Sequence, residues 1–260
     1  MQVDRREEKT VIVLGLARSG TSVVAGMLKS IGVAMGPSVY DDANPLGSFE
    51  DRDFQQFHKQ IFAAIGADRT YWNPPSLEEI LKLKADWAAA IERLVARKSA
   101  PGKIWGWKHA RTLLTVDLFL PYVHRPHFVA VFRNPLDIAK SSVELTRNYR
   151  SDKVDLLGAL KIAAFYYGRM ANILETHRGV PALFVAFEDI VSRPLREAQR
   201  MCDFLGLELT EGKRVAVERL VIPRAQIAER KRLAAGFFTG KVPRLIRNYS
   251  LRFLSRRKGA

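Results

Sequence analysis

Cysteine is nearly missing from this sequence of 260 residues, since Cys202 is its single thiol. One cysteine excludes a disulfide within the chain and a zinc site built from several cysteines. Runs of about 18 or more apolar residues are missing too, so no membrane-spanning helix is expected. The first residues, MQVDRREEKT, are charged and lack the apolar core of a secretory signal. We therefore expect a cytoplasmic protein.

Acidic residues are scarce at the C-terminal end. The chain carries a formal net charge of +15, of which residues 224–260 contribute +10 because eleven lysines and arginines stand against Glu229 alone. We predict an α/β domain over residues 1–223, followed by a basic extension whose apolar residues recur at helical spacing. Such a helix suits peripheral contact with the anionic inner face of a membrane. The alternative is a helix that packs on the domain with its basic face in solvent. Basic and aromatic residues do not interleave there, so nucleic acid is an unexpected partner.

Short apolar runs alternate with segments of helical spacing through most of the chain. Several of these runs are continuously apolar, as in strands of a sheet that is covered on both faces. The pattern predicts a three-layer α/β domain with a mainly parallel central sheet. Strands are predicted over 11–16, 104–108, 127–132 and 182–187, and helices over 20–31, 54–65, 77–97, 112–123, from 134 onward, 154–177 and 194–205.

The segment after the first predicted strand reads GLARSGTS, from Gly15 to Ser22. It leads into a helix, whose free N–H groups and dipole favour a bound anion. Gly15 and Gly20 have the spacing of a Walker loop, which then requires lysine followed by serine or threonine. Here Thr21 follows Gly20, and the cation is Arg18. The loop is predicted to bind an anionic group, but not to handle phosphates as a kinase does.

A second cation, Arg133, follows the predicted strand at 127–132. Ligands of open α/β sheets bind at the carboxyl ends of the strands, where an NTPase often has aspartate for magnesium. Arginine instead binds an anion directly. Ser141 and Ser142 lie about two turns into the next helix, where one of their hydroxyls could share an anion with Arg133.

These segments together resemble motifs of the sulfotransferases that use 3′-phosphoadenosine 5′-phosphosulfate (PAPS). GLARSGTS resembles their 5′-phosphosulfate loop, and RNPLDIAKS, from Arg133 to Ser141, resembles their 3′-phosphate motif. FEDI from Phe187, with Pro194 shortly after, is similar to their Tyr-Glu-Asp-Leu…Pro segment. The form of the first loop, with NPLGSFE at 44–50, is closer to the bacterial and tyrosylprotein-type members.

The resemblance implies a P-loop-like fold, PAPS as co-substrate and no metal. It places Arg133 and Ser141 at the 3′-phosphate. Phe187 falls where the family often has a tyrosine near the nucleotide, so the contribution of that hydroxyl is lost. The residues implied around the 5′-phosphosulfate are Arg18, Ser19, Gly20, Thr21 and Ser22.

Sulfuryl transfer needs cations around the donor and a base for the acceptor proton. Besides Arg18, Lys108 is a candidate sulfate contact, with an exposed strand-end lysine as the alternative. The resemblance places a glutamate base at Glu50. His109 is the alternative base, although it is offset by one residue from the histidine of the cytosolic aryl enzymes. His58 is predicted to be a solvated helix residue.

Three functions are compatible with these residues. The first is transfer of the sulfuryl group, in line, to a hydroxyl of a glycan, lipid or small molecule. The second is an ATP-dependent P-loop kinase, against which the missing lysine after Gly20 argues. The third is a non-catalytic protein that binds anions or membrane. Glu188 and Asp189 resemble Walker acids, but we expect them to cap the next segment or to pair with Arg193 or Arg196.

Overall fold

The computed structural model describes residues 8–36, 47–66, 71–99, 103–149 and 153–221. The predicted basic extension, 224–260, lies outside these ranges. The elements, in chain order, are β1 (Lys9–Leu14), α1 (Thr21–Ser30), α2 (Arg52–Ala64), α3 (Leu77–Lys82), α4 (Lys84–Lys98), β2 (Ile104–Lys108), α5 (Thr112–Phe119), β3 (Pro126–Phe132), α6 (Pro135–Tyr149), α7 (Leu156–Thr176), β4 (Ala182–Ala186), α8 (Phe187–Ser192) and α9 (Pro194–Leu205). A further helix, α10, occupies residues 211–221.

The four strands form one parallel sheet in the order β2-β1-β3-β4. Val13 of β1 lies beside Lys108 of β2 on one side and beside Val129 of β3 on the other. Because the strands are parallel, their carboxyl ends meet at one edge of the sheet. The GLARSGTS loop after β1, Lys108 at the end of β2 and Arg133 after β3 therefore share that edge.

Both faces of the sheet are buried, which explains why its strands are continuously apolar. Ile12 and Leu14 of β1 pack into a core formed with α2, α3, α4, α5 and α7. Val11 and Val13 point to the opposite face, into a core formed with α1, α8 and α9. The predicted three-layer α/β domain with a mainly parallel sheet is confirmed. Within the described ranges, no helix is long and apolar enough to cross a lipid bilayer.

Several predicted boundaries were wrong. The first strand, predicted over 11–16, ends at Leu14, so Gly15 and Leu16 belong to the loop. The helix expected over 77–97 is two helices, because the Leu83 N–H bonds to the Ile80 carbonyl three residues back, which offsets α4 from α3. The helix expected over 112–123 ends at Phe119, where a 3₁₀ turn, Leu120–Tyr122, follows. Pro121 lacks the N–H that continuation of the helix would need. Phe187, expected as the last residue of β4, begins α8 instead.

We predict that Gly106→Ala lowers the free energy of unfolding by about 1–3 kcal/mol, as overpacking does. A β-carbon at Gly106 would lie 2.2 Å from the Val11 carbonyl oxygen on the neighbouring strand, and neither backbone can move without disturbing the pairing. The matched control is Gly168→Ala in α7, where no atom lies within 4 Å of the added carbon. That variant should be more stable by about 0.5–1 kcal/mol. Urea denaturation measures both, and a Gly106→Ala protein as stable as the wild type contradicts the β1–β2 register.

Candidate active site

The loop between β1 and α1 follows a path that its glycines make possible. Gly20 has a φ of +97°, in the left-handed region. A β-carbon at Gly20 would also lie 2.3 Å from the Phe187 ring, and one at Gly15 would lie 2.5 Å from Thr21 Cγ2. Ser19 is fully buried, and its Oγ donates to the Leu16 carbonyl at 2.7 Å. The Ser19 hydroxyl therefore supports the loop from inside, and its own hydrogen is not free to face a ligand.

Arg18 joins the loop to the second cationic motif. Its φ is +69°, a conformation that few non-glycine residues adopt. Its carbonyl accepts a hydrogen bond from Arg133 Nη1 at 2.8 Å, and its Nε donates to Ser141 Oγ at 3.0 Å. The sequence had grouped Ser141 with Arg133, whereas here the hydroxyl contacts Arg18. The two arginines that the sequence singled out thus lie side by side, bonded through main chain and side chain.

Aromatic residues hold Arg133 in place. Its guanidinium lies over the Phe187 ring, 4.6 Å from the ring centre. The Tyr167 hydroxyl accepts from the Arg133 N–H at 2.9 Å and donates to the Arg133 carbonyl at 2.5 Å, which fixes the end of β3. Burial raises the pKa of Tyr167, so this hydroxyl keeps its proton. Tyr167 was missed by the sequence reasoning, because nothing in the α7 pattern distinguishes it from a core tyrosine.

Lys108 is buried at the centre of the site, so the alternative of an exposed strand-end lysine was wrong. Only 3% of its side chain is exposed. Its Nζ donates to Glu50 Oε1 at 2.8 Å and to Ser22 Oγ at 3.4 Å. The lysine therefore connects the carboxylate to the first turn of α1. Burial of an ammonium group is costly unless it is paired, and Glu50 provides the pairing charge.

Glu50 is held between two fixed neighbours at the start of α2. The Phe49 ring is buried against α1, where a β-carbon at Gly26 would lie 2.9 Å from it. Asp51 is the N-cap of α2 and accepts from the N–H of Asp53 at 2.9 Å. Lys98 bridges the carboxylates of Asp51 and Asp53 at 2.8 and 2.7 Å. The cap fixes the backbone that carries Glu50, which was predicted to stand at a helix start.

His58 and His109 form a stacked pair beside Glu50, with ring centres 4.5 Å apart. The prediction of a solvated His58 was wrong, because the α2 face that carries it packs on α5. Its Nδ1 lies 2.6 Å from the Phe54 carbonyl and its Nε2 lies 2.9 Å from Thr115 Oγ1. Since a carbonyl only accepts, Nδ1 carries the proton. Burial keeps the pKa of His58 well below its ordinary value, so the ring is neutral.

His109 is neutral for similar reasons. Burial lowers its pKa to about 3, and the charges of Lys108 and Arg111 act in the same direction. Its Nδ1 accepts the Arg111 N–H at 3.3 Å, which leaves the ring proton on Nε2. That Nε2 lies 3.9 Å from Glu50 Oε2. Glu50 and His109, the two candidate bases predicted from the sequence, therefore lie near each other, and the His109 ring is uncharged.

Asp189 makes a contact expected of it, whereas the side chain of Glu188 contacts the residue before α6 and neither of the two arginines. Asp189 forms an ion pair with Arg193 at 2.6 Å, and Glu188 Oε1 accepts the Asn134 N–H at 3.1 Å. In the described part of the chain, no three histidine, cysteine or acidic side chains converge as metal ligands would.

Comparisons with known proteins agree on one family. The model of the sulfotransferase family matches residues 10–211. The sulfotransferase domain from the Synechococcus PCC 7002 olefin synthase shares the fold with a TM-score of 0.50 at 17% identity, over 82% of this chain and 78% of that one. The sulfotransferase domain from the curacin biosynthetic pathway also gives 0.50, at 16% identity, over 78% and 75%. No curated protein matches the sequence.

The neutral histidine pair predicts a loss of stability in acid. A histidine whose pKa is lower in the folded than in the unfolded state stabilises the fold above its unfolded pKa of 6.5, and this stability is lost as the pH falls toward 3. Each such histidine contributes up to about 1.4 kcal/mol per pH unit in that window.

Between pH 6.5 and 5, we therefore expect the free energy of unfolding of His109→Gln to fall by about 1–2 kcal/mol less than that of the wild type. Urea denaturation at several pH values measures this slope, and comparing slopes removes any constant cost of the substitution. His124→Gln, at an exposed position, is the matched control. An unchanged slope in His109→Gln contradicts a neutral buried His109.

Proposed function

The chain belongs to the sulfotransferase family, and we propose that it transfers the sulfuryl group of PAPS to a hydroxyl of its acceptor. The observation that carries this proposal is the direct contact between the two cationic motifs. Arg133 bonds to the Arg18 carbonyl, and Arg18 bonds to Ser141. One nucleotide with anionic groups at both ends can therefore reach both motifs, which two distant arginines would not allow.

The residues present fit such a nucleotide. The N–H groups at the start of α1 and the helix dipole suit the 5′-phosphosulfate, with Arg18 and the Ser22 hydroxyl beside them. Arg133, whose guanidinium is oriented by Phe187, suits the 3′-phosphate, together with Ser141. The bound donor supplies an activated sulfuryl group whose leaving oxygen remains on the nucleotide. The residues of this chain supply the charge that holds and orients it.

We propose Glu50 as the base that takes the proton of the acceptor hydroxyl. About a fifth of its side chain is exposed (22%), so an acceptor can approach it, and its carboxylate is fixed by Lys108. A general base takes a proton more readily when the acceptor hydroxyl becomes more acidic as the reaction proceeds. Burial lowers the pKa of His109 to about 3, which disfavours proton uptake by its ring. Its Nε2 lies 3.9 Å from Glu50 Oε2, beyond hydrogen-bond distance, so the orientation of the carboxylate comes from Lys108.

Lys108 suits the stabilisation of charge during transfer. Its Nζ touches both the proposed base and Ser22 in the donor loop, so an acceptor oxygen between them would lie beside a fixed ammonium group. Preorganised charge in a buried site stabilises a developing anion without the cost of reorienting water. An in-line displacement needs this alignment of base, acceptor and donor. The acceptor class, a glycan, a lipid or a small hydroxyl compound, is part of the proposal.

Replacement of Arg133 tests the nucleotide site. We expect Arg133→Ala to weaken binding of the desulfated nucleotide, 3′-phosphoadenosine 5′-phosphate (PAP), by about ten- to a hundredfold, since hydrogen bonds to charged groups are worth about 1.5–3 kcal/mol. Titration calorimetry measures the affinity. Arg178→Ala removes an arginine that is largely exposed at the end of α7 and serves as the control. If Arg133→Ala binds PAP as tightly as the wild type, the nucleotide assignment is wrong.

Replacement of Glu50 tests the chemistry. The assay follows sulfur-35 from labelled PAPS into the lipids, glycans and proteins of a fractionated lysate, which also identifies the acceptor class. We expect Glu50→Gln to lower the transfer rate by about 10²–10⁴-fold, the range for a general base, with PAP affinity changed less than threefold. Asp53→Asn, on the exposed side of the same helix start, is the control. Full transfer by Glu50→Gln would rule out the carboxylate as base.

A further inference from the structure

Tyr71 brings a hydroxyl group to the anion-binding loop from a distant part of the chain. The Ala17 N–H, inside the loop between Gly15 and Gly20, donates to Tyr71 Oη at 3.0 Å. Tyr71 lies in the segment that leads to α3, 54 positions away in sequence. A loop N–H is one of the groups that an anion would use, so this contact places a phenol at the edge of the proposed donor site.

The Tyr71 ring is fixed rather than loosely attached. It stacks on the Tyr166 ring of α7, with centres 4.4 Å apart and planes 7° from parallel. The Tyr166 hydroxyl donates to the Tyr71 main-chain carbonyl at 3.4 Å. The Trp72 ring packs edge-on against Tyr71 at 5.3 Å. The position of the hydroxyl is therefore set by α7 and not by the segment alone.

The Tyr71 hydroxyl has a hydrogen to donate. Burial raises the pKa of Tyr71 well above its ordinary value, so the group stays protonated. Its oxygen accepts from Ala17, and within the described residues no acceptor lies in reach of its own hydrogen. Beside an anion site, a phenol hydrogen that has no acceptor in the described part of the protein points to an acceptor on the ligand.

Tyr71 also lies on the same side of the sheet as the proposed base. Its ring packs against the core that contains Phe54 and Phe57 of α2, the helix that follows Glu50. Tyr166, on which Tyr71 stacks, belongs to the same core. The Tyr71 ring and the helix that follows Glu50 are therefore on the same face of the sheet.

We propose that the Tyr71 hydroxyl donates a hydrogen bond to the sulfuryl group of bound PAPS, as a further catalytic residue of this enzyme. The inference rests on the proposed function. A neutral donor at this place stabilises oxygens that gain charge during transfer. In this proposal the hydroxyl faces the sulfuryl group and not the two phosphates, which the product nucleotide retains. The hydroxyl therefore distinguishes PAPS from PAP.

The test compares the affinities of both nucleotides for wild type and Tyr71→Phe, which keeps the stacked ring and removes one oxygen. We expect PAPS to bind on the order of tenfold more weakly and PAP to bind as in the wild type. Tyr122→Phe, which removes a hydroxyl in the 3₁₀ turn before β3, at the opposite edge of the sheet from the loop, is the control and should leave the ratio of the two affinities unchanged. The transfer rate of Tyr71→Phe should fall by at least as much as its PAPS affinity.

Each other outcome contradicts the inference. Equal weakening of both nucleotides means that Tyr71 only supports the loop. Tighter PAP binding means that the hydroxyl occupies an anion position and is displaced. Unchanged affinities mean that it does not take part. If the wild type binds neither nucleotide, the proposed function itself fails, which is a separate result.

A second measurement needs no substitution. Carbon-13 labelling of tyrosine Cζ in the wild-type protein gives signals from seven tyrosines. One of them should shift when PAP is exchanged for PAPS, because a new hydrogen bond changes the shielding of the phenol carbon. Identical tyrosine spectra for the two complexes overturn the inference, even if Tyr71→Phe does not fold.

Discussion

The carbonyl oxygen of Arg18 connects the two halves of the proposed nucleotide site. It accepts the guanidinium of Arg133 at 2.8 Å, across 115 positions of sequence. Arg18 itself has a left-handed backbone, which costs a non-glycine residue about 1–2 kcal/mol. A charge-assisted hydrogen bond of this kind is worth about as much, so the contact offsets the strain that the loop conformation requires. The same bond orients the arginine that the 3′-phosphate would use.

Several cations converge on this edge of the sheet, and the structure handles their charge in two ways. The buried Lys108 is compensated by Glu50, which makes the carboxylate both an ion-pair partner and the proposed base. The nearby rings of His58 and His109 are neutral, because burial and the surrounding cations lower their pKa values. Polar groups thus surround Glu50 without adding positive charge. The cost of keeping both rings neutral is a loss of stability in acid.

The parts of the site that sequence could predict are those that local patterns encode. The apolar strand, the spacing of Gly15 and Gly20, and Arg133 at a strand end can each be recognised within a short local stretch of the chain. Lys108 could be placed at the sheet edge but not inside the protein, because its burial depends on Glu50, 58 positions away. His58 was misjudged because residue type suggests solvent, whereas its two hydrogen bonds come from Phe54 and Thr115. The Thr115 contact spans 57 positions, and a long-range partner of this kind leaves no periodic signal in a single sequence.

Tyr71 and Tyr167 were also missed, since a single sequence does not show where the hydroxyl of a tyrosine points. Their placement also suggests why neutral donors stand beside the cations. Cations that bind the two phosphates of the donor bind the product nucleotide equally well. Additional positive charge at these phosphates would slow release of the product. A phenol directed at the sulfuryl group contributes only while that group is present. Binding energy that is confined to the reacting group is what accelerates a reaction, whereas uniform binding does not. On the proposed function, the arginines therefore provide affinity, and the uncharged groups on the acceptor side provide the difference between substrate and product.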